Sequence, residues 1–211
     1  MSRGLPYYEE TEFQEYLLSR ERLELFPVDR ILNQLQWTGV ENFLDFGAGN
    51  GFFIPFFYQY RPEGCHIWAA ECQEDLLDIL LQQRVKQDWA DFSAFFVERT
   101  EHPLLPEWIP PMDLIFCSLS LSTFANPALA LLGLRRSLAD GGRIVVLDWE
   151  KVSAPSGPEE NLKVSRTRME YFFGDAGFKI QRSLKVNKYL YGFEIVPDAA
   201  AITPRGYEQT T

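Results

Sequence analysis

A glycine-rich junction near residue 50 constrains the fold of this chain more than any other stretch. The mostly apolar run at 43–46 predicts a buried strand. Gly47, Gly49 and Gly51 follow it, and an apolar, helix-like segment begins at Phe52. Because glycine permits φ > 0 and lets a ligand approach bare backbone, such a junction is suited to holding a cofactor. The alternative is an ordinary tight turn between a strand and a helix.

The spacing of these glycines separates the possible kinds of cofactor loop. A phosphate-binding Walker loop ends in Gly-Lys-Ser/Thr, but no lysine follows Gly51. A dinucleotide-binding fingerprint needs a glycine three residues after Gly49, where Phe52 stands, so an NAD-dependent oxidoreductase is disfavoured. The pattern that remains is D-x-G-x-G-x-G, which begins at Asp45.

This pattern resembles motif I of the class I S-adenosylmethionine (SAM) methyltransferases, in particular the ubiquinone/menaquinone-biosynthesis type and its small-molecule relatives. The resemblance implies that SAM is the cofactor. It also implies that the helix after the loop directs its free N–H groups towards the methionine carboxylate. The cofactor-binding residues implied in this loop are Asp45, Gly47, Ala48, Gly49, Asn50 and Gly51.

An acidic residue at the end of the next predicted strand supports the same interpretation. The run 65–71 predicts a strand that ends in Glu71, 20 residues beyond Gly51, as a strand–helix–strand unit would produce. An acid in this place accepts hydrogen bonds from ribose hydroxyls in nucleotide-binding folds, whereas the alternative is a solvated charge. Glu71 and the adjacent Cys72 therefore join the predicted cofactor site.

The resemblance extends to the ends of the next two predicted strands. After the strand at 94–97, relatives place a polar residue that meets the adenine amino group. Thr100 and Glu101 stand there in this chain, and backbone atoms are the other possibility. The strand at 112–119 carries Ser118 near its carboxyl end, which is the edge where open α/β sheets bind ligands.

The residues after the fourth strand bear on the chemistry. Many relatives carry one or two histidines there, but this chain has Ser122 and Thr123, so no histidine base is expected and no catalytic residue is assigned. Since a sulfonium is already an activated leaving group, in-line SN2 transfer mainly needs positioning. The predicted function is SAM-dependent methyl transfer to a small-molecule acceptor. The alternative is an inactive protein of the same fold that binds SAM or S-adenosylhomocysteine (SAH) or serves in interactions.

Five landmarks follow the order of this superfamily: the glycine loop, Glu71, Asp113, the Gly-Gly turn at 139–143 and the Asp-Ala-Gly-Phe sequence at 175–178. The resemblance implies an α/β fold with a Rossmann-like, doubly wound sheet of seven mostly parallel strands. The last strand is antiparallel, and helices cover both faces. The alternation of strands and helices independently requires right-handed crossovers.

The ends of the chain are expected to differ from its middle. We expect one domain at 1–198 and a loose tail at 199–211, which has no periodicity. Residues 1–40 predict helices, and the resemblance implies that such N-terminal helices can close over the cofactor, with Tyr7, Tyr8 and Phe13 as lid candidates. The alternative is that these three side chains simply pack against the sheet.

Composition limits the remaining possibilities. The 211 residues are enough for one domain, and their net charge of −10 argues against binding to nucleic acid. The sequence shows no signal peptide or long apolar span, so we expect a soluble cytoplasmic protein without a membrane partner. Cys65, Cys72 and Cys117 are expected to be reduced thiols, and no metal is predicted. The alternative is a three-cysteine site like that of some arsenic methyltransferases.

Overall fold

The computed structural model describes residues 20–200, which form one mixed sheet with helices on both faces. The strands are β1 (Asn42–Phe46), β2 (His66–Glu71), β3 (Phe92–Phe96), β4 (Met112–Ser118), β5 (Leu138–Trp149), β6 (Phe178–Leu184) and β7 (Leu190–Pro197). The helices are α1 (Arg20–Leu25), α2 (Val28–Leu32), α3 (Ile54–Tyr60), α4 (Glu74–Lys86), α5 (Pro127–Arg135) and α6 (Arg166–Asp175). Short 3₁₀ turns lie at Leu121–Thr123 and Glu160–Leu162.

The sheet has the order β3-β2-β1-β4-β5-β7-β6, and this confirms the predicted fold class. Strands β1 to β5 pair in parallel, whereas β7 runs antiparallel to both of its neighbours, β5 and β6. The order reverses at β1, which lies between β2 and β4. Ligands of open α/β sheets bind at the carboxyl ends of the strands beside such a reversal.

Alternation along β1 shows how the sequence divides the core into two layers. Phe43 joins the cluster formed with helices α1 to α4, and its ring lies 4.5 Å from that of Phe57. Leu44 and Phe46 point to the other face, into a cluster that contains buried residues of α5 and α6. Successive side chains of a strand face opposite sides, so one short apolar run supplies both layers.

The Gly-Gly turn at 139–143 lies within a strand rather than before one. It lies inside β5, where the register with β4 shifts between the Met112–Leu138 pair and the Leu114–Arg143 pair. Gly141 has φ +76°, as a turn rich in positive φ requires. The strand β5 therefore begins at Leu138, before the turn, and continues through it.

Other boundaries agree with the predictions to within about two residues, the usual uncertainty of helix and strand ends. In α4, Leu76 and Leu80 are buried, whereas Leu77 and Ile79 are only half-buried. The predicted first helix, with Tyr7, Tyr8 and Phe13, and residues 201–211 of the predicted tail lie outside the described residues. None of the described helices is long and apolar enough to cross a membrane.

Candidate functional site

A cleft opens at the carboxyl ends of four parallel strands. Its lining includes residues 47–49, 71–73, 97–99 and 118–120, which lie at or just after the ends of β1, β2, β3 and β4. The cleft holds about 840 Å³ of empty space, part of which is open to solvent. Its position is the one that the reversal of strand order predicts.

The glycine loop after β1 has a backbone conformation that strongly favours glycine. Gly47, Gly49 and Gly51 have φ of +75°, +58° and +79°, a region that other residues rarely adopt. A Cβ at Gly47 would lie 2.6 Å from the Cβ of Ser120, so the loops after β1 and β4 meet at this point. A Cβ at Gly51 would lie 2.7 Å from a methyl group of Leu80.

The backbone amides of this loop are already used within the chain. Gly47 and Ala48 both donate to the carbonyl oxygen of Ala70 at the end of β2, at 2.9 and 3.1 Å. The N–H of Gly51 donates to the carbonyl oxygen of Ala48 at 3.0 Å. These bonds fasten the loop to the neighbouring strand and to itself.

The side chain of Glu71 accepts a hydrogen bond from another amide of the loop, that of Gly49. This side chain is 4% exposed, and Oε2 accepts from the N–H of Gly49 at 2.7 Å. Oε1 accepts from the N–H groups of Cys72 and Gln73 at 2.8 and 3.0 Å. An ionised carboxylate has about four acceptor positions, so these three bonds leave capacity for a ligand in the cleft that Glu71 lines.

Asp45 is the buried acid of the predicted motif. Burial raises the pKa of this carboxyl to about 8, while the charge of Arg22 opposes the rise and that of Glu71 adds to it. Asp45 is 2% exposed and does not belong to the lining of the cleft. Its carboxyl is therefore largely protonated near neutral pH. It is buried beside the glycine loop and does not face the cleft.

Arg22 is a cleft residue that the sequence interpretation missed. It lies on α1, is 5% exposed and lines the cleft. Its guanidinium lies 4.2 Å from the ring centroid of Phe52, and Nη1 donates to Oδ1 of Asn50 at 3.3 Å. The available signal was spacing, since Arg22 precedes the buried Leu25 and Phe26 by three and four residues and so shares their helical face.

The end of β4 supplies the opposite wall. Leu119 has φ +59°, an uncommon conformation for this residue type that occurs at functional sites. Its N–H donates to the carbonyl oxygen of Leu147 at 2.8 Å, which keeps the chain in register with β5. Oγ of Ser118 is buried in this wall and has no hydrogen-bond partner in the part of the chain that the structure describes.

The turn at Leu121–Thr123 completes this wall. Ser122 donates its N–H to Oδ2 of the fully buried Asp148 at 3.2 Å, and burial raises the pKa of that carboxyl to about 6. Thr123 lines the cleft, with its hydroxyl donating to the carbonyl oxygen of Ser120 at 2.6 Å. The buried carboxyl of Asp148 thus fixes the position of this turn.

The predicted adenine residues lie beside the cleft rather than in its lining. Thr100 is exposed, and Glu101 accepts from the N–H of Asn126 at 3.1 Å and so supports the start of α5. Glu98 and Arg99, which the sequence interpretation missed, line the cleft after β3. An adenine contact by Thr100 or Glu101 stays a prediction.

The other predicted residues divide into two groups. Gly47, Ala48, Gly49, Glu71, Cys72 and Ser118 line the cleft. Asp45, Asn50 and Gly51 are buried around the loop without lining it. The structure therefore brings the predicted glycine loop, acidic strand end and fourth-strand serine together at one place.

The cysteines show no shared site. Cys65 and Cys117 are buried, Cys72 is half-buried, and all three are free thiols. Burial raises the pKa of the Cys72 thiol to about 11, with the charge of Glu71 adding to the rise. Residues 20–200 contain no group of three or more His, Cys, Asp or Glu that could hold a metal ion.

Seven strands in this order, with β7 reversed and a glycine loop beside an acidic strand end, define the class I methyltransferase fold. Residues 10–196 match a family described as a methyltransferase domain. The chain belongs to this family. A comparison with curated proteins found no match.

Solved structures with the same fold include a SAM-dependent methyltransferase from Aquifex aeolicus. It is 23% identical with a TM-score of 0.78, and the match covers 88% of this chain and 97% of that one. The O-methyltransferase NcsB1 from neocarzinostatin biosynthesis is 13% identical with a TM-score of 0.72, covering 91% of this chain and 60% of that one. Human N-acetylserotonin methyltransferase is 16% identical with a TM-score of 0.64, covering 91% and 58%. The chain thus spans less than two thirds of the last two proteins.

Proposed function

We propose that this protein transfers the methyl group of SAM to a small-molecule acceptor bound in the cleft. The observation that carries the proposal is the carboxylate of Glu71, which lines the cleft while holding the N–H of Gly49 in the glycine loop. One group thereby connects the predicted ribose position to the predicted cofactor loop. Residues 1–198 would act as a single domain in this function.

The residues of the cleft suit SAM. The glycine loop, Glu71 and the end of β4 line one cleft at the carboxyl ends of the strands, where open α/β sheets bind their ligands. Glu71 would accept from the ribose hydroxyls, and Glu98 would accept from the adenine amino group. Ser118, whose buried hydroxyl has no partner among the described residues, would donate to the ligand. When bound, SAM supplies an activated methyl group on a sulfonium cation.

The contribution of the chain to the reaction would be positioning and exclusion of water. Leu119, Phe46 and Phe124 form an apolar part of the lining beside the β4 wall. Holding a nucleophile in line can lower a barrier by roughly 7–11 kcal/mol, so a protein base is not required for an acceptor that is already nucleophilic. The turn supported by Asp148 keeps Thr123 and Phe124 at the edge of this region.

The acceptor we propose has a flat apolar body. The rings of Phe46 and Phe124 lie stacked, with centroids 6.2 Å apart and an interplanar angle of 18°, and both line the cleft. The NcsB1 structure, which shares the fold, contains SAH and 1,4-dihydroxy-2-naphthoic acid. A hydroxylated aromatic acceptor that reacts as its phenolate, its proton having passed to solvent, is therefore the first class to test.

The test is a methyl-transfer assay that measures SAH release from SAM with a panel of hydroxylated aromatic compounds. We expect release that depends on one or more of these acceptors. Phe124→Ala should raise KM for the acceptor more than KM for SAM, because its ring lies on the apolar side. Binding of SAH without transfer to any acceptor of the panel would instead favour the inactive, SAM-binding alternative.

A further inference from the structure

We propose that two copies of this protein associate through the free edge of β3, so that their two sheets join into one. β3 is the first strand in the order of the sheet, and β2 is its only paired neighbour among the described strands. A strand with one unpaired side presents a row of N–H and C=O groups to which another chain can add. The inference concerns the surface of the fold and is independent of the chemistry in the cleft.

The backbone groups at the free edge can be identified from the bonds between β3 and β2. Bonds of 3.0 Å join the carbonyl oxygen of Asp91 and the N–H of Val97 to β2. Because successive strand residues alternate, the backbone groups of Phe92, Ala94 and Phe96 face away from β2. Within residues 20–200, no group forms a hydrogen bond with the outward N–H and C=O groups of these three residues.

The two edge strands of the sheet differ in charge. β3 reads Phe-Ser-Ala-Phe-Phe and has no charged side chain. β6, at the other edge, includes Lys179 and Arg182 and is followed by Lys185. Charged residues, and lysine above all, keep an edge strand from pairing with another chain. The sequence therefore protects the edge at β6 but leaves the edge at β3 open to pairing.

Exposed apolar side chains lie on both faces of the sheet beside this open edge. Phe96 is 45% exposed and alternates onto the same face as the buried Phe92, which packs with residues of α4. Trp108 is 63% exposed on the other face, where its ring centroid lies 5.6 Å from that of Phe95. A partner at the edge of β3 would cover apolar surface as well as backbone.

The orientation of α4 adds a further apolar side chain to this surface. Gln83 donates to the carbonyl oxygen of Asn50 at 3.0 Å, so its side of the helix faces the glycine loop after β1. A helix turns by about 100° per residue, which places Leu77 and Leu81 on the side away from that loop. Because β1 and β3 lie on opposite sides of β2, Leu81 points towards the free edge, and it is exposed.

A second copy fits this edge because the strand is self-complementary. In an antiparallel pairing centred on Ala94, Phe92 of each copy lies opposite Phe96 of the other. Three outward N–H groups from each copy then donate across the two-fold axis, which makes six hydrogen bonds in all. Aromatic pairs placed directly across two strands also stabilise a sheet.

The same register keeps like charges apart. Asp91 and Glu98, the charged residues next to the strand, lie opposite Val97 and Ala90 of the other copy. Asp91 is also paired with Arg61 at 3.2 Å within its own chain. Two chains that each have a net charge of −10 can therefore meet here without opposing carboxylates.

The first test is sedimentation equilibrium of the wild type and two variants. The wild-type protein should form a dimer. Phe96→Lys should raise the dissociation constant by at least about tenfold, because the new charge enters the interface twice. The matched control is Ile180→Lys, which places the same charge on the other edge strand at a residue of similar exposure, 39%. This variant should keep the dissociation constant of the wild type.

Residue-resolved amide hydrogen exchange of the wild type tests the pairing without any variant. The N–H groups of Phe92, Ala94 and Phe96 should exchange more slowly as the protein concentration rises and dimers form. A wild type that stays monomeric, or a dimer that Phe96→Lys and Ile180→Lys affect equally, would overturn the proposal. Slow exchange of these amides in a monomer would also overturn it, since another segment of the same chain would then cover the edge.

Discussion

Replacing Glu71 by glutamine should separate its hydrogen bonds within the chain from its proposed contact with the ribose. The side-chain oxygen of glutamine can still accept from Cys72 and Gln73, but its NH₂ group would face the N–H of Gly49. One buried donor is then left without an acceptor, which costs about 1–3 kcal/mol. For a chain of this size, each kcal/mol lowers Tm by roughly 2–4 °C.

Binding of SAH should weaken further than stability alone explains. A hydrogen bond to a charged group is worth about 1.5–3 kcal/mol, so loss of the ribose contact predicts an affinity about tenfold to a hundredfold lower. The assays are thermal unfolding of the free protein and calorimetric titration with SAH. Glu74→Gln is the control, because Glu74 is exposed in the first turn of α4: it should leave the SAH affinity unchanged and lower stability by no more than about 1 kcal/mol through the helix dipole.

The two measurements have distinct contrary outcomes. If Glu71→Gln lowers Tm but binds SAH as tightly as the wild type, then Glu71 only holds the glycine loop and has no contact with the ribose. If neither quantity changes, the three hydrogen bonds of this carboxylate carry no measurable energy, and the reasoning about the loop is refuted.

Three further predictions concern the same site. Gly47→Ala should destabilise the fold and weaken SAH binding, because its Cβ would lie 2.6 Å from that of Ser120 at φ +75°; a normal melting curve would contradict this. Burial raises the pKa of Asp45 from 3.8 to about 8, so the folded state keeps a proton that the unfolded state releases. The free energy of unfolding should therefore fall between about pH 4 and 8, by at most about 1.4 kcal/mol per pH unit, and urea titrations of Asp45→Asn should show a flatter profile. Glu98→Gln should weaken SAH binding without changing Tm, since Glu98 is exposed; equal affinity would exclude its contact with adenine.

The sequence was informative where local pattern decides structure. An apolar run ending in glycines specifies β1 and its loop, because strand alternation and positive φ are properties of the residues themselves. The place of Glu71 follows from the length of one strand–helix–strand unit. Its bond to the N–H of Gly49 joins residues 22 positions apart, and no local pattern indicates such a contact.

The missed residues depend on tertiary packing. Arg22 reaches Asn50 across 28 residues of sequence, and a short helix with a buried arginine has no distinctive composition. The strand β3 begins at Phe92, two residues earlier than predicted, and ends at Phe96. The cleft is lined by the three residues directly after this end, 97–99, whereas the prediction looked one step further along the chain, to Thr100 and Glu101.

The most direct test of the central claim is calorimetric titration of the wild-type protein with SAH, with NAD in a parallel titration. The cleft at the ends of β1 and β2 predicts one SAH site per chain with a sub-millimolar Kd. It predicts no binding of NAD, because Phe52 stands where a dinucleotide loop needs its third glycine. Absence of SAH binding, or tighter binding of NAD than of SAH, would contradict the assignment of this cleft to SAM.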